Sequence, residues 1–127
     1  MVDYALRRRA VLAQVTSGRT GLDEVCDAGS YLIQAAKYHG VPTESPCPVC
    51  RKETLTHVHW IYGDELDQVA GTARQPAELE RLEQIYSEFD VHQVEVCRTC
   101  SWNHLVMSFV LGHGGERAAK SRSRALT

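Results

Sequence analysis

Residues 47–62, CPVCRKETLTHVHWIY, decide the fold of this chain. They begin with two cysteines separated by two residues, and the same spacing recurs later in the chain. The paired cysteines are Cys47, Cys50, Cys97 and Cys100. The segment Thr54–Tyr62 is rich in β-branched and aromatic side chains, which predicts a strand directly after the first pair. In a chain without an evident secretory leader, this spacing indicates metal binding before it indicates disulfide bonding.

Each cysteine pair can supply two thiolates to a tetrahedral zinc ion, so the two pairs together complete one site. Both pairs adjoin strand-like segments, and each would therefore form the turn of a hairpin, with the metal holding the hairpins together. This arrangement resembles the zinc-ribbon fold, and we predict a zinc-ribbon-like domain over residues 46–113 with one structural Zn²⁺. Zinc ribbons often have glycine after the second cysteine of each pair, whereas Arg51 and Ser101 stand there in this chain.

Four protein ligands leave no coordination position for water, so the predicted ion stabilises the domain and does not catalyse. Two other interpretations of the cysteines stay open. Cys47 and Cys50 resemble a glutaredoxin-type redox pair, although such pairs precede a long helix and a strand-like segment follows here. The cysteines could also be unrelated core residues that bind no metal.

The fifth cysteine and the histidines carry weaker signals. Cys26 has no electropositive neighbour in the sequence, and we predict a buried small apolar residue within a short helix. Histidines in strands are more often half-buried packing groups than ligands, so a second or catalytic metal is not favoured. The histidines considered are His57, His59, His92 and His104. We expect Trp60 and Trp102, which lie close to the cysteine pairs, to belong to the core.

The remaining patterns predict an α+β fold, in which a small N-terminal helical segment packs on a zinc-ribbon-like antiparallel sheet with one inserted helix. The helical segment covers residues 1–45, is closed by Pro42 and Pro46, and has the outline of a helix-turn-helix. The predicted helices cover about 3–16, 20–26, 31–38 and 76–89, the further strands 91–96 and a buried 102–111, and the loop 63–75. A basic flexible tail is predicted for residues 114–127.

Charge is distributed unevenly along the chain. The net charge is −2, and it divides into 0 over residues 1–46, −5 over 47–115 and +3 over 116–127. An acidic central part repels duplex nucleic acid, so any such contact should be weak and salt-sensitive. The residues that could contact phosphates, or a protein partner, are Arg7, Arg8, Arg9, Arg117, Lys120, Arg122 and Arg124. A solvated helix face and a solubilising tail are the simpler interpretations of these clusters.

The sequence contains no evident catalytic constellation. It has no nucleophile elbow, kinase motif set or dinucleotide fingerprint. No apolar run approaches the about 20 residues that a membrane helix needs, so we expect no membrane contact. We therefore predict a cytoplasmic, non-catalytic binding or regulatory module. The alternative is a thiol redox or metal-dependent enzyme that uses the cysteine pairs.

Several segments together make the chain similar to a family of short actinobacterial proteins that is classed as a domain of unknown function. They are the arginines at 7–9, SGRT at 17–20, EVCD at 24–27, the two cysteine pairs and WNH at 102–104. This resemblance implies a single stand-alone unit in a bacterial cytosol, and it brings no activity, substrate or catalytic residue. The separate resemblance to zinc ribbons implies a protein partner in transcription or translation, such as RNA polymerase or the ribosome.

Overall fold

A six-stranded antiparallel sheet organises residues 1–114, the part of the chain that the computed structural model describes. Its strands are β1 (Val2–Asp3), β2 (Val41–Pro46), β3 (Thr54–Tyr62), β4 (Thr72–Arg74), β5 (Phe89–Val96) and β6 (Asn103–Leu111). They lie in the order β1-β6-β5-β3-β2, and β4 pairs with the part of β3 that β2 leaves uncovered. The predicted α+β class and the predicted antiparallel sheet are confirmed.

Residues 1–114 also contain four α-helices and one 3-10 helix. They are α1 (Ala5–Thr16), α2 (Leu22–Val25), α3 (Ser30–His39), α4 (Pro76–Ile85) and the 3-10 helix Asp64–Val69. The Asp3 carboxylate accepts a hydrogen bond of 2.7 Å from the backbone N–H of Ala5 at the start of α1. The helix stops before Gly18, whose φ of +81° suits glycine. In this part of the chain no helix combines the length and the apolar character needed to cross a membrane.

Three clusters of buried side chains follow one another along the sheet. The cluster at the far end consists of Ile61, Leu66, Leu79, Phe89 and Val91. The middle cluster consists of Ala35 and Ala36 of α3 packed on Val58 and Val96. The cluster at the cysteine end consists of Cys47, Leu55, Cys97 and Trp102. Strand β3 contributes to all three clusters, while β5 contributes to the first two and leads directly into Cys97 of the third. These two strands therefore connect the cysteine end to the far end.

The inserted helix is shorter than predicted. It was expected over residues 76–89, but α4 ends at Ile85 and Phe89 begins β5. Apolar residues continue at helical spacing through Phe89, yet Phe89 pairs with Leu111 across the sheet and is 1% exposed. Burial of a large apolar side chain is worth about 2–3 kcal/mol, which exceeds the preference of an ordinary residue for a helix.

The end of the predicted helical segment joins the sheet. Residues 41–46 form the edge strand β2, although Pro42 and Pro46 were expected to close the helical segment. Proline lacks a backbone N–H, and an edge strand accepts it because one side of the strand needs no partner. Val2 and Asp3 pair with β6 as a further short strand that the sequence pattern did not indicate.

The three N-terminal helices do not pack as a helix-turn-helix. The second, α2, has four residues, while α1 contacts β6 and α3 contacts β3, β4 and β5. A helix-turn-helix instead packs its two helices on each other across a short turn. The short α2 is capped at its N-terminus by Glu24. The backbone N–H of Gly21 donates to the Glu24 carboxylate at 3.0 Å.

Two further expectations differ in detail. The predicted loop over residues 63–75 contains the 3-10 helix and β4. The last strand was expected to be buried, but β6 is half-buried along most of its length and Val110 is exposed. The predicted basic tail lies outside the described residues, apart from Gly114.

Candidate metal centre

Four thiols converge at the cysteine end of the sheet. The Sγ atoms of Cys47, Cys50, Cys97 and Cys100 all lie within 4.8 Å of one another. The Sγ of Cys47 is 3.7 Å from that of Cys100, and the Sγ of Cys50 is 3.6 Å from that of Cys97. Four sulfurs bound at about 2.3 Å to one tetrahedral zinc stand about 3.8 Å apart. The structure therefore brings together all four cysteines that the sequence spacing selected, at distances that suit one ion.

Each cysteine pair lies in the turn of a hairpin. Residues 47–50 connect β2 to β3, and residues 97–100 connect β5 to β6. The backbone N–H of Arg51 donates to the carbonyl of Cys47 at 3.2 Å, and the N–H of Ser101 donates to the carbonyl of Cys97 at 3.0 Å. The two turns are thus closed in the same way. Because β3 and β5 pair directly, the turns at their ends lie side by side.

Backbone N–H groups are directed at the sulfurs of the site. The donor and acceptor pairs are Val49 to Cys47 Sγ at 3.4 Å, Lys52 to Cys50 Sγ at 3.5 Å and Cys100 to Cys97 Sγ at 3.4 Å. Donors that point at a sulfur favour its charged form. The turns are therefore suited to hold thiolates, which are the form of cysteine that binds a metal.

Both turns contain a left-handed residue that is not glycine. Arg51 has a φ of 57° and Ser101 a φ of 71°. These are the positions at which the sequence departs from the glycine often found in zinc ribbons. The left-handed conformation costs an L-amino acid about 1–2 kcal/mol. The two hairpin turns therefore adopt this geometry although it costs backbone free energy at Arg51 and Ser101.

The thiols differ in acidity. The backbone N–H of Lys52 lowers the pKa of Cys50 to about 7. Burial raises the pKa of Cys97 and that of Cys100 above the ordinary value for cysteine. Four neighbouring thiolates would repel one another in a buried space, whereas a divalent cation compensates their charge and binds them deprotonated. The all-sulfur donor set, its spacing and its burial fit zinc.

A fifth thiol touches this group. Cys26 follows α2 directly, and its Sγ lies 3.7 Å from the Sγ of Cys100. The side chain is half-buried and packs against the cluster at the cysteine end. Burial raises its pKa. The sequence predicted a chemically inert residue inside the short helix, and no local pattern indicates a contact between residues 26 and 100.

A partly buried ion pair supports the second cysteine pair. Glu95 on β5 is 4% exposed and accepts hydrogen bonds of 2.9 and 3.0 Å from the Nε of Arg8. The indole N–H of Trp102 donates to the same carboxylate at 2.6 Å. Trp102 is fully buried and packs with Cys47 and Cys97. Helix α1 is thereby connected to the strand that leads into the turn and to the residue that follows it.

This ion pair changes the interpretation of the N-terminal arginines, which were expected to form one exposed basic cluster. Arg8 is partly buried and pairs with Glu95 through its Nε. Arg9 is exposed, and so is Arg7, whose guanidinium lies 5.9 Å from the centre of the Tyr4 ring. The other candidate contact residues lie outside the described part of the chain, and they are Arg117, Lys120, Arg122 and Arg124.

The sequence did contain a signal for the inward position of Arg8. Val11 and Leu12 follow it by three and four residues, and both pack against the cysteine end. Residues at these intervals share one face of a helix. Leu6, on the same helix, is exposed and lies outside the core.

The histidines make contacts within the sheet. Among residues 1–114, the thiol group is the one cluster of three or more side chains that could hold a metal ion. Three Nδ1 atoms have near neighbours, namely His57 with Gln93 Nε2 at 2.9 Å, His92 with the Ser108 hydroxyl at 3.1 Å and His104 with the Leu105 carbonyl at 2.6 Å. Burial lowers the pKa of His57 and that of His59, which favours their neutral forms.

The two tryptophans differ in burial. Trp102 is fully buried, as predicted. Trp60 is half-buried, and its ring stacks on that of Tyr31 with centroids 5.5 Å apart. Tyr31 is itself 69% exposed, so Trp60 lies at the border of the core.

Two hairpins that carry four clustered thiols on an antiparallel sheet define a small α+β protein with a four-cysteine site that could hold a metal ion. Residues 1–125 match a group described as "Family of unknown function (DUF5318)", and the chain belongs to that family. The chain is 55% identical over 133 residues to the uncharacterized protein Rv0049 of Mycobacterium tuberculosis, with 97% of each chain covered. The same values hold for the uncharacterized protein Mb0050 of Mycobacterium bovis. No solved structure matches the chain. The predicted resemblance to an actinobacterial family is confirmed.

Proposed function

We propose that this protein binds one Zn²⁺ through Cys47, Cys50, Cys97 and Cys100 and acts as a non-catalytic binding or regulatory module. The observation that supports the proposal is the convergence of four thiols with S···S distances of 3.6 and 3.7 Å. Zinc prefers this tetrahedral set of sulfur ligands in structural sites. The ion would connect the two hairpin turns and contribute to the stability of the cysteine end.

The non-catalytic role follows from the closed donor set. Four protein sulfurs fill a tetrahedral site and leave no position for water or substrate. Such an ion contributes roughly 10 kcal/mol or more at neutral pH, which equals or exceeds the total stability of many small domains. Thiol redox chemistry is the second candidate, because the backbone N–H of Lys52 lowers the pKa of Cys50 to about 7.

The partner that we propose is a protein. Residues 47–115 carry a net charge of −5 and residues 1–46 a net charge of 0, and Arg8 is paired with Glu95, so the described residues carry no net positive charge. A weak, salt-sensitive contact through Arg7, Arg9 and the C-terminal basic residues is the most that we assign to nucleic acid. The likeness to zinc ribbons makes cytoplasmic transcription or translation assemblies, RNA polymerase and the ribosome, the first partners to test.

The metal content of the full-length protein tests the proposal. Protein purified without added metal should contain one equivalent of zinc. Substitution of a fully buried ligand, Cys47→Ser or Cys97→Ser, should abolish zinc binding and unfold the cysteine end, as measured by elemental analysis and circular dichroism. The matched control is Cys26→Ser, which should keep both zinc and fold. A well-folded, metal-free protein in which all the thiols react with a thiol reagent would overturn the assignment.

Co-purification from native lysate tests the proposed module. Recovery of RNA polymerase or ribosomal components with the wild-type protein, and their loss with Cys97→Ser, would support a zinc-dependent binding role. Recurrent recovery of one metabolic enzyme, or turnover of a disulfide substrate by the purified chain, would instead favour the thiol redox alternative.

A further inference from the structure

We propose that Cys26 and Cys100 form a redox-modification site, in which a hydroperoxide oxidises Cys100 and Cys26 captures the product as a Cys26–Cys100 disulfide. This proposal rests on the proposed four-thiolate site, because Cys26 is the thiol that a metal bound there leaves free. Its consequence is that one equivalent of oxidant removes one of the four ligands and opens the metal site.

The geometry places the free thiol against one particular ligand. The Sγ of Cys26 lies 3.7 Å from the Sγ of Cys100, which is the same distance that separates the ligand sulfurs of Cys47 and Cys100. Cys26 is absent from the group of four mutually close sulfurs, so it lies outside the tetrahedron and beside one of its corners.

Two hydrogen bonds hold the backbone next to Cys26 on the turn that carries Cys100. The N–H of Ala28 donates to the carbonyl of Ser101 at 3.1 Å. The side-chain amide of Asn103 donates to the carboxylate of Asp27 at 2.8 Å. These contacts come from the residues that follow each of the two cysteines. They keep the two sulfurs adjacent without any contribution from the metal.

Access to oxidant differs among the ligands. Cys47 and Cys97 are fully buried, whereas Cys50 and Cys100 are half-buried. A small oxidant in solution therefore reaches Cys50 and Cys100 first. Cys50 is close to Cys97, which is itself a ligand. Cys100 is the accessible ligand that has a non-ligand thiol in contact with it.

The chemistry balances with a hydroperoxide as the oxidant. The Cys100 sulfur attacks the O–O bond, so an S–O bond forms, the O–O bond breaks, and the departing oxygen takes up a proton. The Cys26 sulfur then attacks the sulfenic sulfur of Cys100, the S–S bond forms, and the hydroxyl group leaves as water with the proton from Cys26. Two thiol groups lose two electrons in total, and the peroxide is reduced. The Cys100 sulfur no longer carries a thiolate charge, so three thiolates remain for the metal.

Cys47 is the competing thiol that could attack the oxidised Cys100, since its Sγ is equally close to that of Cys100. Cys47 is engaged as a ligand in the loaded site, and its sulfur is fully buried. Cys26 carries neither restriction. The Cys26–Cys100 disulfide should therefore form before the Cys47–Cys100 disulfide.

The experiment uses the zinc-loaded full-length chain treated with one equivalent of hydrogen peroxide. After free thiols are alkylated, peptide mass spectrometry identifies the linked cysteines, and a chromogenic chelator measures the zinc released. The expected first product is the Cys26–Cys100 disulfide, formed in step with zinc release and reversed by a thiol reductant and added zinc. In Cys26→Ser the Cys26-linked product cannot form, and in a comparison at two equivalents of peroxide the sulfinic acid of Cys100 and the Cys47–Cys100 disulfide together should increase several-fold over wild type.

Two results would overturn the proposal. One is a first product that links only the four ligands while Cys26 remains reduced in the wild-type protein. The other is a Cys26→Ser protein that has lost its zinc before oxidation, because Cys26 would then be a ligand. Failure of the zinc proposal is distinguishable, since it appears as metal-free wild-type protein before any oxidant is added. The wild-type mapping requires no variant and remains decisive if Cys26→Ser folds poorly.

Discussion

The two ends of the sheet are stabilised by different means. At the far end the buried side chains are all hydrocarbon, and they are Ile61, Leu66, Leu79, Phe89 and Val91. At the cysteine end, the buried cluster includes the thiols Cys47 and Cys97, and the Arg8–Glu95 ion pair lies beside it. Apolar burial stabilises the far end at about 1.5–3 kcal/mol for each large side chain. The cysteine end relies on paired charges and, under the proposed function, on a bound ion, so its stability should change with the metal supply.

The same strands connect both ends, so the difference can be measured within one molecule. On β3, Leu55 belongs to the cysteine end and Ile61 to the far end. On β5, Phe89 belongs to the far end, and Glu95 lies beside the cysteine end. Each end can be perturbed separately while the other serves as an internal reference.

Removal of the metal should have the largest effect. A chelator should remove protection from hydrogen exchange first at the turn amides of Arg51 and Ser101, and later at those of Ile61 and Val91. The reason is that roughly 10 kcal/mol of metal binding acts on the turns, while the far end retains its apolar core. Hydrogen exchange read by mass spectrometry measures this order. Simultaneous loss of protection at both ends would show that the sheet is one cooperative unit that depends on the metal throughout.

A cavity at the far end should have the next largest effect. Phe89→Ala should lower the free energy of unfolding by about 3–5 kcal/mol, because it removes a ring that is 1% exposed. Its zinc content should not change, since the ring lies in the other cluster. Ile85→Ala is the control, because Ile85 is 65% exposed and its truncation should cost little. Urea unfolding and elemental analysis provide the measurements, and loss of zinc from Phe89→Ala would contradict the separation of the two ends.

Breaking the ion pair should have a smaller effect, confined to the cysteine end. Arg8→Ala leaves the Glu95 carboxylate buried with the Trp102 N–H as its remaining donor, and should cost on the order of 3 kcal/mol. Arg7→Ala, on the same helix, should change stability by less than about 0.5 kcal/mol. Urea unfolding followed by tryptophan fluorescence measures both. Equal stability of the two variants would show that Arg8 is a surface residue, as the sequence suggested.

Relief of backbone strain in a turn should have the smallest effect, and the effect should be an increase in stability. Arg51→Gly should raise the free energy of unfolding by up to about 1 kcal/mol, because glycine adopts the φ of 57° without a steric cost. Lys52→Gly, one position later, should instead lower stability through the added freedom of the unfolded chain. Thermal unfolding of the zinc-loaded proteins compares the two. Destabilisation by both substitutions would indicate that the Arg51 side chain contributes more than its backbone strain costs.

The predictable parts of the fold are those that depend on neighbouring residues. The alternation of side chains in Thr54–Tyr62 predicted both ends of β3 correctly. The apolar spacing after Pro76 predicted the start of α4 correctly, but it extended the predicted helix to Phe89. Spacing alone cannot show whether a buried apolar residue belongs to a helix or to the strand that follows it. The sequence did not predict strand β2, because its two prolines are compatible only with a strand at the edge of a sheet. Which strand lies at the edge is decided only when the sheet assembles.

The sequence by itself determined the four ligands of the candidate site, since two thiols separated by two residues meet within a single turn. It also determined the α+β class and the antiparallel sheet, through periodicities that are local to each strand. The helical spacing of Val11 and Leu12 places Arg8 on the inner face of its helix, but the tertiary structure alone decided which groups Arg8 and Cys26 contact. Their partners, Glu95 and Cys100, are 87 and 74 residues away in the chain. Such contacts form when the sheet brings distant segments together, and no local pattern encodes them.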